Sequence, residues 1–335
     1  RNDKSKQKWS GGPITGDNTT AEFFCTISTV VESPKQPGVI WVGTDDGLLH
    51  LSQDHGKNWK NLTEKLPDFP EWATIKMIEA SQHEAGTAYV VIDAHLLGNT
   101  KPYLFKTTDF GETWQTLSET MPTENYLHVV REDAKRKDLL FAGYERGVYF
   151  STDAGRTWQK LKLNLPPVPV HDMIVRENDL ILGTNGRSIW ILDDISPLRA
   201  FTPEKAEAGT TLLEPAPAIR WRIGSSAITD HAAASFPNPE YGAILHYYLK
   251  KKPEKELKLV ITDTSGNKIV AFEGKKDGDA SEKKSTDEES PSKPKLPDEP
   301  GLHRFVWDLA HDGARAIPGA VADMGSPVVA RSVNP

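Results

Sequence analysis

An all-β chain of repeated four-stranded antiparallel units, forming part of a ring and followed by a partial β-sandwich, is the fold class this sequence predicts. Three observations carry that prediction. The octapeptides SQDHGKNW (Ser52 to Trp59), TTDFGETW (Thr107 to Trp114) and STDAGRTW (Ser151 to Trp158) share a hydroxyl or Thr start, an Asp two positions on, then a Gly and a closing Trp. Their aspartates, Asp54, Asp109 and Asp153, stand 55 and 44 residues apart, close to the roughly 40–50-residue periods of propeller blades. The segments before them, GVIWVGTDDGLLHLS, TAYVVIDAHLLGNTKPYLFKT and DLLFAGYERGVYFS, are short β-branched and aromatic runs broken by Gly, Asn or Asp, the composition of strands joined by hairpins.

Each unit has a further apolar run upstream (CTISTVVES, ATIKMIEAS, YLHVVRED) and a short one after its Trp (NLT, QTLSE, QKLKLN). That makes four strands per unit, a propeller blade. A fourth copy, VHDMIVREN followed by DLILGTNGRSIWILDD, ends near Asp194 without the Gly and Trp of the others, so the box near 187–194 is degenerate. Four blades are therefore expected over residues 21–200, with 1–20 as the tail of a preceding blade or a linker. Propellers carry typically 4–8 blades, so the ring is expected to be partial. An absent N-terminal half, or another chain, would complete it.

After Leu198 the grammar changes. EYGAILHYYLK alternates so that Ala243, Leu245, Tyr247 and Leu249 share a face, KELKLVITDTSGNKIVAF reads as a hairpin, and HRFVWDLAHDG sets Phe305, Trp307 and Leu309 on one side. Residues 201–335 are thus expected to form part of a sandwich. Within them 275–300 holds six Lys, eight acidic residues and four Pro, with only Ala280 and Leu296 apolar. Such a segment buries too little surface to offset its ordering entropy, and a disordered insertion is expected over about 273–300.

The octapeptide has a structural reading. An Asp carboxylate can accept backbone N–H groups of a tight turn, Gly supplies angles that a side chain forbids, and Trp is expected to pack flat between neighbouring sheets. Asp54, Gly56, Trp59, Asp109, Gly111, Trp114, Asp153, Gly155 and Trp158 are accordingly structural. With these residues the sequence resembles the Asp-box, or BNR, repeat proteins, among them sialidases, xyloglucan-active glycoside hydrolases and the sortilin propeller. GTNGRSIWILDD with the following sandwich is similar to large secreted bacterial proteins called glycosyl-hydrolase-like or sortilin-like, and the sandwich resembles their immunoglobulin-like modules. The resemblance implies a secreted, periplasmic or cell-surface location. It does not choose an activity, because one scaffold serves hydrolysis, peptide binding and assembly.

Composition narrows the partners. A net charge of −7 over 335 residues with no basic stripe gives no reason to expect nucleic acid. No apolar run reaches the roughly 20 residues of a membrane span, so membrane insertion is not expected. The single cysteine, Cys25, is expected in the core and excludes an internal disulfide.

In a four-stranded meander the boxes open on one face, whereas the second hairpins and the crossovers open on the other. The box-free face is the expected ligand site, because loops on a rigid scaffold gather binding groups. It would collect Trp72, His95, Tyr126, His128, Arg146, His171 and Arg187 as binding residues for a glycan or polypeptide. Asp46, Asp93, Glu145 and Asp172 are the carboxylates from which a two-carboxylate glycoside hydrolase, the alternative function, would draw its pair. The Arg-Ile-Pro segment of sialidases does not occur. His95, His128 and His171 come from three different blades without the close spacing of zinc ligands, so no metal and no cofactor is expected.

Overall fold

The computed structural model describes residues 25–220, 240–274 and 294–311. The expected tail at 1–20, and most of the expected insertion (275–293), lie outside the described residues. The chain divides into two compact units, Arg1–Arg199 and Ala200–Pro335.

In the first unit, four antiparallel sheets follow one another in sequence order. The first holds β1 (Ile27–Glu32), β2 (Ile40–Thr44), β3 (Leu49–Ser52) and β4 (Lys60–Asn61). The second holds β5 (Thr74–Ala80), β6 (Ala88–Asp93), β7 (Tyr103–Thr107) and β8 (Gln115–Thr116). The third holds β9 (Leu127–Glu132), β10 (Leu140–Tyr144), β11 (Gly147–Ser151) and β12 (Gln159–Lys160). The last has only three described strands, β13 (Val170–Arg176), β14 (Asp179–Thr184) and β15 (Ile189–Leu192). This corrects the expectation of four four-stranded units. Without the box Gly and Trp the chain makes no outer hairpin after Leu192, and it enters a short helix at Ser196–Ala200 with Pro197 buried.

The apolar runs are explained by burial on two sides. Every residue of β6 is buried: Val90 and Ile92 join Trp41, Leu51 and Ile75 between the first two sheets, whereas Tyr89 and Val91 join Leu127 and Leu140 between the second and third. A period of two thus splits one strand between two cores. In the same way Phe141 and Val148 meet Met173, Leu180 and Leu182 between the third and fourth sheets. Each such side chain stabilises the stack by about 1.5–3 kcal/mol relative to leaving it exposed. The leading strands β1, β5, β9 and β13 lie side by side in that order, which is the inner edge of a propeller arc. The far face of the fourth sheet carries Ile174, Ile189 and Ile191, of which Ile189 is 70% exposed.

The octapeptides form one turn three times. Ser52 Oγ donates to Asp54 Oδ1 and accepts Gly56 N, while Asp54 takes Asn58 N on Oδ1 and Asn58 Nδ2 on Oδ2, all within 2.6–2.9 Å. The same four bonds recur around Asp109 and Asp153 at 2.6–2.9 Å. His55, Phe110 and Ala154 adopt φ of 61, 58 and 63°, and each is followed by a glycine at 80–88°. Bonds from Asn58 hold the Asp54 carboxyl down to about 2, and those from Thr113 do the same for Asp109. Trp114 packs against the core between the first and second sheets and Trp158 against that between the second and third. Trp114 meets Trp41 edge-on, with ring centroids 6.4 Å apart and planes at 78°. Trp59, with no described sheet before it, is 46% exposed.

His55 N, Phe110 N and Ala154 N donate to Gly38 O, Gly86 O and Asp138 O, so each octapeptide sits at the end of its sheet that bears the first hairpin. The second hairpins and the crossovers therefore occupy the opposite end. Cys25, expected in the core, is only half-buried, with φ 69° just ahead of β1.

In the second unit, β16 (Thr210–Leu212), β17 (Ala243–Leu249) and β20 (Gly301–Trp307) form one sheet, and β18 (Lys258–Thr262) and β19 (Lys268–Glu273) form another. The two share an apolar layer of Leu245, Tyr247, Leu249, Val270, Phe272 and Phe305, with Phe272 edge-on to Phe305 at 4.7 Å. The hairpin reuses the octapeptide chemistry: Asp263 accepts Ser265 N, Asn267 N and Asn267 Nδ2 at 2.8–2.9 Å. Two expectations are corrected. Strand β20 ends at Trp307, leaving Leu309 at φ 59° outside it. The insertion ends in packed chain, since Leu296 is 1% exposed in the same apolar layer and Tyr247 Oη donates to Pro297 O at 2.5 Å.

Candidate functional site

The leading strands enclose a groove of ≈ 650 Å³ with Val30, Lys76, Glu79, Arg131, Asp172 and Ile174 on its walls. Arg131 braces it. Its guanidinium donates to Glu79 Oε2 (2.9 Å), to Asp172 Oδ1 (2.8 Å) and to Met173 O (2.6 Å). One side chain on β9 thereby ties the second, third and fourth sheets. Burial raises the Glu79 carboxyl, and the Arg131 charge opposes that shift. Arg131 is thus a strut within the arc, and Arg146 and Arg187 lie exposed on separate hairpins of the third and fourth sheets.

At the box-free end the rim residues form a ladder of rings. His95 stacks on Tyr126 at 4.4 Å and 8°, Tyr126 meets His128 at 5.1 Å and 67°, and His128 lies 4.3 Å from His171. Carboxylates flank it on two levels. Asp93 Oδ1 accepts His95 N (2.9 Å) and His95 Nδ1 (2.7 Å), and Glu145 Oε2 shares a proton with His128 Nε2 at 2.9 Å. Burial, with the Glu145 charge, pushes the Tyr126 phenol up to about 12. Burial also lowers the His128 pKa, against the raising pull of Glu145.

The carboxylates expected on an open rim are placed differently. Asp46 is 1% exposed and Asp93 is buried as well, because the second hairpin of the first sheet and the end of β6 tuck under their neighbours. Asp172 and His171 belong to strand β13 and not to a crossover. Each of Asp93, Glu145 and Asp172 is already bound to His95, His128 or Arg131. Trp72 is half-buried, and its Nε1 donates to Glu71 Oε1 at 3.0 Å. Two of the three histidines come together after all: His128, Glu145 and His171 bring one possible ligand atom each to within 4.8 Å of one another, whereas His95 stays with Asp93. Equivalent positions on adjacent leading strands did this, a juxtaposition that spacing along the chain conceals.

Residues 47–187 match the family model described as sortilin, neurotensin receptor 3. The first unit therefore contains a sortilin-like propeller segment. No curated protein matches the sequence. Among solved structures, the chain is similar to a GH74 xyloglucanase from Xanthomonas campestris at 13% identity and a TM-score of 0.38, over 52% of this chain and 31% of that one. It is similar to YCF48 from Cyanidioschyzon merolae at 16% and 0.34, over 50% and 56%. It is also similar to the GH74 enzyme of Niastella koreensis at 15% and 0.38, over 68% and 36%. The chain spans less than two thirds of the length of each. Among the described residues, no helix is long and apolar enough to cross a membrane.

Proposed function

We propose that the sortilin-like segment is a binding module of an exported bacterial protein and that it holds an extended polypeptide along the groove and across the box-free rim. The observation that carries this reading is the groove wall. Val30 and Ile174, 59% and 49% exposed, stand among Lys76, Glu79, Arg131 and Asp172, an alternation of aliphatic and charged groups suited to peptide side chains. Exposed apolar groups rimmed by polar ones mark interaction sites. A glycan is the weaker choice, because sugar rings stack on open aromatic faces, and here His95 covers one face of Tyr126. Hydrolysis draws no support from the carboxylates, which are committed to partners. The bare face of Ile189 and Ile191 favours completion of the arc by a further sheet, from the same protein or another chain.

The test is selection of peptides from a display library, followed by Ile174→Glu and Val30→Glu. These exposed changes should leave the fold intact and weaken the selected peptides by about tenfold or more, equal to about 1.4 kcal/mol. Undiminished peptide binding in both variants refutes the placement. Binding confined to a glycan array, or reducing-sugar release that Asp93→Asn abolishes, replaces the reading.

A further inference from the structure

We propose that His128, Glu145 and His171 form a site for a divalent transition-metal ion, zinc by chemical preference, at the mouth of the groove. His128 and His171 stand near the box-free ends of the adjacent strands β9 and β13, and Glu145 on the turn after β10 closes the third side. Two imidazoles and a carboxylate form a known zinc donor set, which leaves a fourth position open to water or a ligand. Without thiolates, the set suits zinc, nickel or copper better than softer ions, and better than calcium, which takes six or more oxygens.

A second observation points to a ligand independently. His128 is 4% exposed, and its Nδ1 is buried without a hydrogen-bond partner, whereas buried polar atoms are otherwise paired. The ring is held by Glu145 at Nε2 and keeps an unused nitrogen.

The geometry needs only a small adjustment. Zinc bonds of about 2.0–2.1 Å at tetrahedral angles set ligand atoms about 3.4 Å apart, against the 4.8 Å within which the three lie. Glu145 and the exposed His171 are free to close that distance by side-chain rotation, with buried His128 as the anchor. On binding, the ion takes the lone pair of His128 Nδ1, the proton at Nε2 stays on the ring, and the Glu145 carboxylate turns from Nε2 to the ion. The open position faces the groove and would accept a carboxylate or carbonyl oxygen of an occupant. The site itself does not depend on the polypeptide reading.

The test is calorimetric titration of the chelator-treated full chain with zinc chloride at neutral pH, with the cobalt(II) spectrum as a second readout. One ion per chain is expected, with the intense visible bands of tetrahedral cobalt. His171→Asn and Glu145→Gln, neither of which empties the core, should each weaken binding by more than about tenfold, the lower end of what loss of an outer-shell partner already causes. His303→Asn, in the second unit, should bind as the parent does. Absence of one-to-one binding at millimolar zinc overturns the proposal, and so does parental affinity in a folded His171→Asn protein.

Discussion

Alanine at Gly111 and at Gly56 should have very different effects, although both glycines hold the same place in the same turn. Both are left-handed, at φ 80 and 81°, which costs a residue with a Cβ about 1–2 kcal/mol. Their surroundings differ. A Cβ on Gly111 would lie 2.4 Å from Leu62 Cδ1, whereas one on Gly56 meets only Trp59 Cζ2 at an unstrained 3.6 Å. Leu62 is fully buried between the first two sheets, so it has little room to withdraw, and overpacking adds about 1–3 kcal/mol. Gly56→Ala should therefore cost about 1–2 kcal/mol and Gly111→Ala about 2–5 kcal/mol. Gly155→Ala should resemble the latter, because its Cβ would stand 2.7 Å from Leu117 Cδ1. Urea melts followed by tryptophan fluorescence give the ranking. A Leu62→Ala background isolates the clash: there, Gly111→Ala should cost no more than Gly56→Ala does in the parent. Equal losses for Gly56→Ala and Gly111→Ala, or no rescue by Leu62→Ala, would refute the argument that the preceding sheet fills the glycine slot.

Three further outcomes are expected. Arg131→Ala should destabilise the first unit by about 3 kcal/mol at neutral pH, because it strands the buried Glu79 carboxylate. Glu79 already has a raised folded pKa, so that loss should shrink as pH falls and the carboxyl takes up a proton, and thermal melts of parent and variant across pH 4–8 check the trend. The Asp54 and Asp109 carboxyls, both near 2 in the fold, stabilise it fully above the unfolded carboxylate pKa of about 3.9. That contribution should fade as pH falls toward 2, a loss visible in carbon-detected NMR titration and absent from Asp109→Asn at its own site. Leu296→Ala should cost the second unit about 2–5 kcal/mol and speed proteolysis between residues 274 and 296, whereas an insertion loose along its whole length would show neither effect.

The strands and turns were legible because their causes are local. A hydroxyl, an aspartate and a glycine close an octapeptide turn from within, and β-branched runs reveal strands wherever they occur. The two-sided burial of β6 came only with the neighbouring sheets, since AYVVI by itself reads as a strand. What escaped was tertiary. Arg131 looks like any strand arginine until β5 and β13 bring Glu79 and Asp172 to it, and His128 and His171 stand far apart in sequence although they occupy matching places on neighbouring strands. The missing outer strand of the fourth sheet had its signal in the lost Gly and Trp. Leu296 had one too, as the lone large apolar residue in a charged stretch, but its bridge to Gly274 and the bond from the Tyr247 phenol to the next residue, Pro297, fix its burial.

The contacts of Leu62 with Gly111 and of Leu117 with Gly155 make the second sheet a socket for one neighbour and a plug for the other. Because both joints use the same pair of residue types at the same place, excising the second sheet would bring Leu62 to Gly155 and present a familiar fit. Gene duplication or loss of whole units can then lengthen or shorten the array without inventing a new joint, while insertions of partial length would leave plug and socket out of step.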